Sequence, residues 1–267
     1  MDLELRDRVV LITGSERGTG RGVARVLARE GASVLVHGFE LAKAEVVAEE
    51  LRAQGQRAFA ISGDVRTDAG AEETVRAARD HCGHVDVLVN NYGVAEGQGW
   101  LAGKTEDWID IYHKNVLSGV RLVQAFLPGM RDRGFGRVIF VSTVGATRPG
   151  KTLPHYYASK AALVNMTVSL AQEVAGTGIT VNTVSPGLIA TDEVKASMIA
   201  RGKKRGWGET WEEVAPHAAR EFMNASAGIV GDPEDVGHLI AFLASDRARY
   251  IHGANLRIDG GAADCVQ

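Results

Sequence analysis

This sequence predicts an α/β fold built on a doubly wound parallel sheet. Short, apolar, β-branched runs alternate with amphipathic helical segments along its 267 residues. A glycine-rich turn, Thr13-Gly14-Ser15-Glu16-Arg17-Gly18-Thr19-Gly20, joins the first apolar run to the first helix. No stretch reads as a linker or as low-complexity sequence. A single domain over residues 1–267 is therefore expected, with about seven strands and helices on both faces of the sheet.

The elements follow in order. Residues 9–13, Val-Val-Leu-Ile-Thr, are the opening strand, and 21–29 form the helix after the glycines. Residues 33–37 are a second strand, and 42–53 a helix closed by Gln54-Gly55. A third strand covers 57–61, a helix 69–82, a fourth strand 85–89 and a long helix 105–130. A fifth strand covers 137–142, a helix 156–175, a sixth strand 180–184, a helix 235–244 and a last strand 255–258. Strands this short and apolar are typical of a sheet covered on both faces. Only residues 188–231 break the rhythm. They hold no strand-like run and carry Arg201, Lys203, Lys204, Arg205, Trp207 and Trp211. A helical lid over the carboxyl ends of the strands, where ligands bind in such sheets, is expected here. The alternative is a solvated helical hairpin with two packing tryptophans.

Composition narrows the function classes. Hydrophobic residues make up 45% of the chain, enough for a sizeable core. The net charge of −3 gives no electrostatic footprint for nucleic acid. No apolar run reaches the length of a membrane span, and residues 1–8 lack the apolar stretch of a signal peptide. Two cysteines, Cys82 and Cys265, are too few for a disulfide framework, so a reducing cytoplasm is the simplest compartment. His81-Cys82-Gly83-His84 fits no common zinc spacing and reads as a helix-to-strand turn, so no metal site is expected.

The chemistry lies in Tyr156-Tyr157-Ala158-Ser159-Lys160. On a helix, positions four apart share a face, so Tyr156 and Lys160 point into one pocket. A free phenol has a pKa of about 10 and needs about 4 kcal/mol of help to exchange protons near neutrality. A fixed ammonium and a positively charged cofactor ring would supply it. Tyr157 sits about 100° round the helix and is the weaker candidate. Upstream, the glycines let the backbone turn tightly and approach a pyrophosphate at a helix N-terminus. The spacing is Gly-x-x-x-Gly-x-Gly, not Gly-x-Gly-x-x-Gly.

These features, with Asn90-Asn91-Tyr92-Gly93, Asn115, Ser142 and Pro186-Gly187, occur in the order seen in the short-chain dehydrogenase/reductase family, which the chain resembles from Arg8 to Asp259-Gly260-Gly261. The resemblance implies a Rossmann enzyme, often tetrameric, that uses NAD or NADP on a secondary alcohol/ketone pair. Carried over, Tyr156 resembles the general acid/base and Lys160 the lysine that holds the nicotinamide ribose. Ser142 resembles the hydroxyl that orients the carbonyl, with Thr143 as the substitute if the register shifts. Asn115 resembles the asparagine that holds a relay water. Cofactor contacts are expected from Gly14, Ser15, Arg17, Gly18, Thr19, Gly20, Phe39, Asn91 and Gly93. Asp64 and Val65 resemble the pair at adenine, and Pro186, Gly187, Ile189 and Thr191 the segment at the carboxamide.

Two positions depart from that pattern. Tyr92 stands where the family usually has alanine, either reshaping the cofactor pocket or pointing outward. Gly38 stands at the end of the second strand, where NAD-preferring members carry aspartate. Arg17 could pair with a 2′-phosphate, so NADP is slightly preferred over NAD. Phe39 could equally stack on adenine, and Glu40 could serve NAD. The leading reading is an oxidoreductase of a small carbonyl or alcohol substrate and a homotetramer. A 3-oxoacyl thioester reductase competes with a steroid, polyol or small-ketone dehydrogenase. A nicotinamide-binding sensor without turnover is a remote alternative, because all four catalytic positions are filled. A sugar epimerase or dehydratase usually needs a longer substrate domain.

Overall fold

A computed structural model of the protein describes residues 2–264, so Cys265 lies outside the described residues. The strands are β1 (Val9–Ile12), β2 (Ser33–Gly38), β3 (Ala58–Ser62), β4 (Val87–Asn90), β5 (Gly136–Val141), β6 (Ile179–Pro186) and β7 (Asn255–Ile258). They form one parallel sheet in the order β3-β2-β1-β4-β5-β6-β7. The chain fills one edge with β2 and β3, then returns to place β4 beside β1. The order therefore reverses at β1/β4, and a crevice opens at the carboxyl ends of those two strands.

Side-chain alternation splits the core into two layers. Val10, Ile12, Val34 and Val36 face α1 (Gly18–Arg29) and α9 (Pro233–Ala244), meeting Val23, Leu27, Val236 and Ile240. Leu11, Leu35, Leu88, Val138 and Phe140 face the other way, toward Val75 of α3 (Asp68–Cys82) and toward Leu122, Phe126 and Leu163. Those last three belong to α5 (Ser118–Arg133) and α6 (Pro154–Glu173). Helix α2 (Leu41–Ala53) packs Val47 and Leu51 on the first layer. No helix of the described residues is long and apolar enough to cross a membrane.

The expected helix over 105–130 is two helices. Helix α4 (Thr105–Tyr112) ends in a π-helical turn, His113–Leu117, before α5 begins. Asn115 sits in that turn with its side chain bonded away from its own helix, and such turns often mark functional positions. The fifth strand ends at Val141, one residue before the expected Ser142. The excursion contains α7 (Asp192–Arg205) and α8 (Trp211–His217), with a small core of Met198, Trp207, Val214 and Ala218. Trp207 is buried and stacks on His217, 5.4 Å between ring centres.

Candidate active site

A groove of about 640 Å³ runs along the carboxyl ends of the strands. The glycine turn forms its first wall. Gly14 holds φ 61°, a backbone conformation costly for other residues, and turns the chain sharply out of β1. A Cβ on Gly20 would come within 2.6 Å of Asn91 Nδ2 and 2.8 Å of Ser15 Cα, so only glycine lets the turn close. Helix α1 starts from Arg17, which provides no side-chain cap. Its leading N–H groups have no partner within the helix and face the groove. That arrangement fits a pyrophosphate.

Three side chains fasten this wall. Asn91 Nδ2 donates to the carbonyls of Thr13 at 2.8 Å and Gly14 at 3.1 Å. Thr13 Oγ1 accepts from the backbone N–H groups of Asn91 and Tyr92 at 3.0 and 2.9 Å. His37, fully buried, accepts from the Gly14 N–H through Nδ1 at 3.1 Å and donates from Nε2 to the Gly63 carbonyl at 2.9 Å. Burial lowers the His37 pKa to about 4, which keeps the ring neutral and Nδ1 free to accept. His37 was not singled out in the sequence. Its place one residue before the end of β2 is the only signal that could have found it.

Most of the expected cofactor residues line the groove: Gly14, Arg17, Gly18, Thr19, Gly20, Phe39, Asn91, Gly93, Pro186, Gly187, Ile189 and Thr191. Three do not. Ser15 is buried inside the turn, donating to the Ile12 carbonyl at 2.8 Å and accepting from the His37 N–H at 3.0 Å; its own N–H goes to the His37 carbonyl. Val65 is fully buried in the second core layer. Asp64 is held on both oxygens by Arg66 at 2.8 Å, and that hydrogen bonding lowers its pKa. Tyr92 points into the groove, not outward, and packs edge-on against Phe39 with ring centres 4.9 Å apart. The guanidinium of Arg66 lies over the Phe39 ring, 5.0 Å from its centre.

At the other end lie Tyr156 and Lys160, on the first turns of α6. Burial acts most strongly on the Tyr156 phenol and raises its pKa, and the Thr143 hydroxyl opposes it. Lys160 Nζ donates to the Val141 carbonyl at 2.8 Å, and burial lowers its pKa to about 8. The ammonium is therefore anchored to the sheet, and burial dominates the phenol. Asn115 is also buried. It accepts from the Val94 N–H at 2.8 Å and donates to the Val94 carbonyl and Ser159 Oγ at 3.0 Å each. Its side chain pins one groove wall to α6.

Ser142 and Thr143 both line the groove beside Tyr156, but their hydroxyls are used differently. Ser142 Oγ donates to the Lys160 carbonyl at 2.8 Å and is buried, whereas Thr143 acts on the phenol and lowers its pKa. The reason is parity. Val138 and Phe140 face the α5/α6 layer, and Ser142, two further on, keeps that direction even though the strand has ended. Arg17 also meets a partner that the sequence does not reveal. Its guanidinium pairs with Glu193 of α7 at 3.0 Å, tying the glycine turn to the excursion. Both groups are exposed, so the pair adds little stability.

The comparisons agree with this geometry. The family model described as short chain dehydrogenase matches residues 8–201. The chain is 34% identical over 259 residues to a 3-oxoacyl-(acyl-carrier-protein) reductase of Vibrio harveyi, covering 97% of this chain and 98% of that protein. It is 37% identical over 265 residues to the oxidoreductase UcpA of Salmonella typhimurium, covering 97% and 95%. Among solved structures it matches L-sorbose reductase from Gluconobacter frateurii, complexed with NADPH and L-sorbose, at 31% identity and a TM-score of 0.93, covering 100% of both chains. The chain belongs to the short-chain dehydrogenase/reductase family. It is an NAD(P)-dependent oxidoreductase acting on a secondary alcohol/ketone pair.

Proposed function

We propose that Tyr156 is the general acid/base of this oxidoreductase, with Thr143 as the hydroxyl that orients the substrate carbonyl. The observation that carries this reading is the half-buried Tyr156, which lines one groove together with Thr143 and Lys160 while the other end of that groove fits a pyrophosphate. The nicotinamide supplies or accepts the hydride. In ketone reduction Tyr156 donates a proton to the carbonyl oxygen, and Thr143 fixes that oxygen within reach. In alcohol oxidation the phenolate takes the proton back. Lys160 holds the ribose beside the nicotinamide while Val141 holds its ammonium in place. Asn115 acts as a positioning residue through Val94 and Ser159. Pro186, Gly187, Ile189 and Thr191 face the carboxamide end, and most of the catalytic gain is positioning.

Thr143→Val keeps the shape of the side chain and removes its hydroxyl, so kcat/KM for ketone reduction should fall about 10- to 100-fold. Ser142→Ala should fall far less, because Ser142 bonds only the Lys160 carbonyl. Steady-state kinetics of the two variants side by side checks the assignment, and a larger loss in the serine variant overturns it.

For substrate, the observations favour a small ketone or polyol over a carrier-bound 3-oxoacyl thioester. Three of the four basic residues that could meet an acidic carrier are engaged within the excursion. Arg201 lies over Phe222 at 4.5 Å, Arg205 over Trp207 at 5.0 Å, and Lys203 approaches Glu209 at 3.7 Å. The L-sorbose reductase match covers the whole chain. A spectrophotometric panel of ketoses, small ketones and a 3-oxoacyl thioester, run with NADH and NADPH, tests this. Turnover of the thioester alone would overturn it.

The same reading makes residues 1–267 one domain and 188–231 a substrate lid. Leu188, Ile189, Thr191, Glu193 and Val194 already border the groove, and the Arg17–Glu193 pair can release as the lid moves. Amide exchange across α7 and α8 should be faster than in β1 and β4 and should slow when cofactor and a substrate analogue are bound together. Exchange as slow as in the sheet without ligand would make the excursion a fixed wall. A homotetramer in the cytoplasm completes the proposal. Exposed Ile109 on α4 and Val168 on α6 offer apolar surface for further copies, and sedimentation measures the state.

A further inference from the structure

The end of β2 carries an unexplained carboxylate. In dinucleotide-binding sheets an acidic residue near this point takes the hydrogen bonds of the adenosine ribose when the cofactor is NAD, and an arginine accommodates the 2′-phosphate of NADP. Residue 38 is glycine and offers no side chain. The space is not vacant, however. A Cβ built on Gly38 would collide with Glu16 Oε2 and come within 2.9 Å of Glu16 Cδ. Glu16 thus reaches across from the glycine turn and seats its carboxylate where a side chain of residue 38 would begin. Glu16 lines the groove.

That carboxylate lacks a partner. Glu16 Oε2 is buried and accepts no hydrogen bond from the described residues. Burial is the largest influence on the group and raises its pKa, although Lys43 and Arg17 act in the opposite direction. Neither cation is free for it. Lys43 is paired with Glu40 at 2.6 Å and Arg17 with Glu193 at 3.0 Å. Around this rim, Glu16, Glu40 and Glu193 stand against Lys43 and Arg17, three negative charges to two positive. A ribose 2′-hydroxyl would donate to the orphaned oxygen and relieve its burial. A 2′-phosphate is itself an acceptor and an anion, so it would leave the oxygen unpaired and add repulsion.

We infer that Glu16 reads the adenosine ribose of the cofactor, accepting the 2′-hydroxyl of NAD from above Gly38 and weakening the hold of NADP that its neighbour Arg17 would otherwise provide. The two adjacent residues oppose each other, and the balance between them sets the cofactor ratio of this enzyme. This rests on the groove being the NAD(P) site proposed above.

The test is a pair of dissociation constants, for NADH and NADPH, measured by fluorescence titration of the wild type, Glu16→Gln and Glu16→Ser. The glutamine keeps the shape and removes the charge. In it the ratio of the NADPH to the NADH constant should shift toward NADPH by about ten-fold or more. The serine also vacates the space over Gly38 and should shift the ratio in the same direction, with NADH binding weakened. Thermal unfolding of each variant shows that the fold is intact. A ratio unchanged in both variants, with both cofactors binding, overturns the role of Glu16 and leaves the enzyme assignment standing. If neither cofactor binds the wild type, the nicotinamide site itself is wrong and the inference falls with it.

Discussion

Replacing Tyr156 with phenylalanine is expected to lower turnover at least about 100-fold, the scale of losing general acid/base catalysis. The ring stays, and with it the packing against Tyr157, whose centre lies 5.2 Å away. Only the phenolic hydroxyl and its proton are lost. Because burial raises the Tyr156 pKa, the phenol is protonated at neutral pH and is ready as an acid for ketone reduction. The reductive rate should therefore decline as pH rises through the titration of the phenol, and the oxidative rate should rise over the same range. Phenylalanine should abolish both limbs while leaving the NAD(P)H dissociation constant nearly unchanged. Tyr157→Phe is the control. The Tyr157 ring packs under Gly145 and Gly150, where a Cβ on Gly150 would come within 3.2 Å of the hydroxyl, so it serves the loop and not the groove. An active Tyr156→Phe beside an inactive Tyr157→Phe would reverse the assignment.

Much of this site is legible in the sequence because its parts are backbone-determined. The glycine turn, Asn91 and the Tyr156/Lys160 pair depend on local geometry and on helix periodicity, and residue order alone carries them. What the sequence does not carry are the contacts that only the fold creates. Ser142 and Thr143 are one residue apart, and the choice between them depends on which layer the end of β5 faces. The period-two parity set by Val138 and Phe140 contained that information. Asp64 looks free for adenine in the sequence, but Arg66 two residues later folds back onto it. Arg17 looks free for a phosphate, but its partner Glu193 lies 176 residues away in the chain. The absence of an acid at Gly38 was visible, whereas the arrival of Glu16 from another element was not. The single helix expected over 105–130 is interrupted by a π-helical turn around Asn115, whose side chain bonds Val94 and Ser159. Hydrophobic periodicity does not report such an interruption.

The glycine turn should also make the enzyme sensitive to acid through His37. An unfolded chain protonates this imidazole near pH 6.5, whereas burial holds it neutral in the folded protein down to about pH 4. Between those values the unfolded state binds the additional proton, so folding stability falls as pH drops across that window. Across the full window the loss from this residue is roughly 3 kcal/mol, a large share of a typical domain's stability. His37→Gln cannot titrate. It also leaves the half-buried Gly14 N–H without the Nδ1 acceptor, so at pH 7 it should be less stable than the wild type by about 1–3 kcal/mol. At pH 4.5 the wild type has lost most of the His37 contribution and the variant has lost none of it. Urea unfolding of both proteins at the two pH values, at one protein concentration, should show the gap close or reverse. A gap of equal size at both would mean that His37 titrates normally. Protonation would also have a functional effect before unfolding. Once Nδ1 carries a proton it can no longer accept from Gly14, and the turn that faces the pyrophosphate loses a fastening. NAD(P)H affinity should therefore weaken toward pH 4 in the wild type, whereas His37→Gln should bind more weakly at every pH and show a flatter dependence.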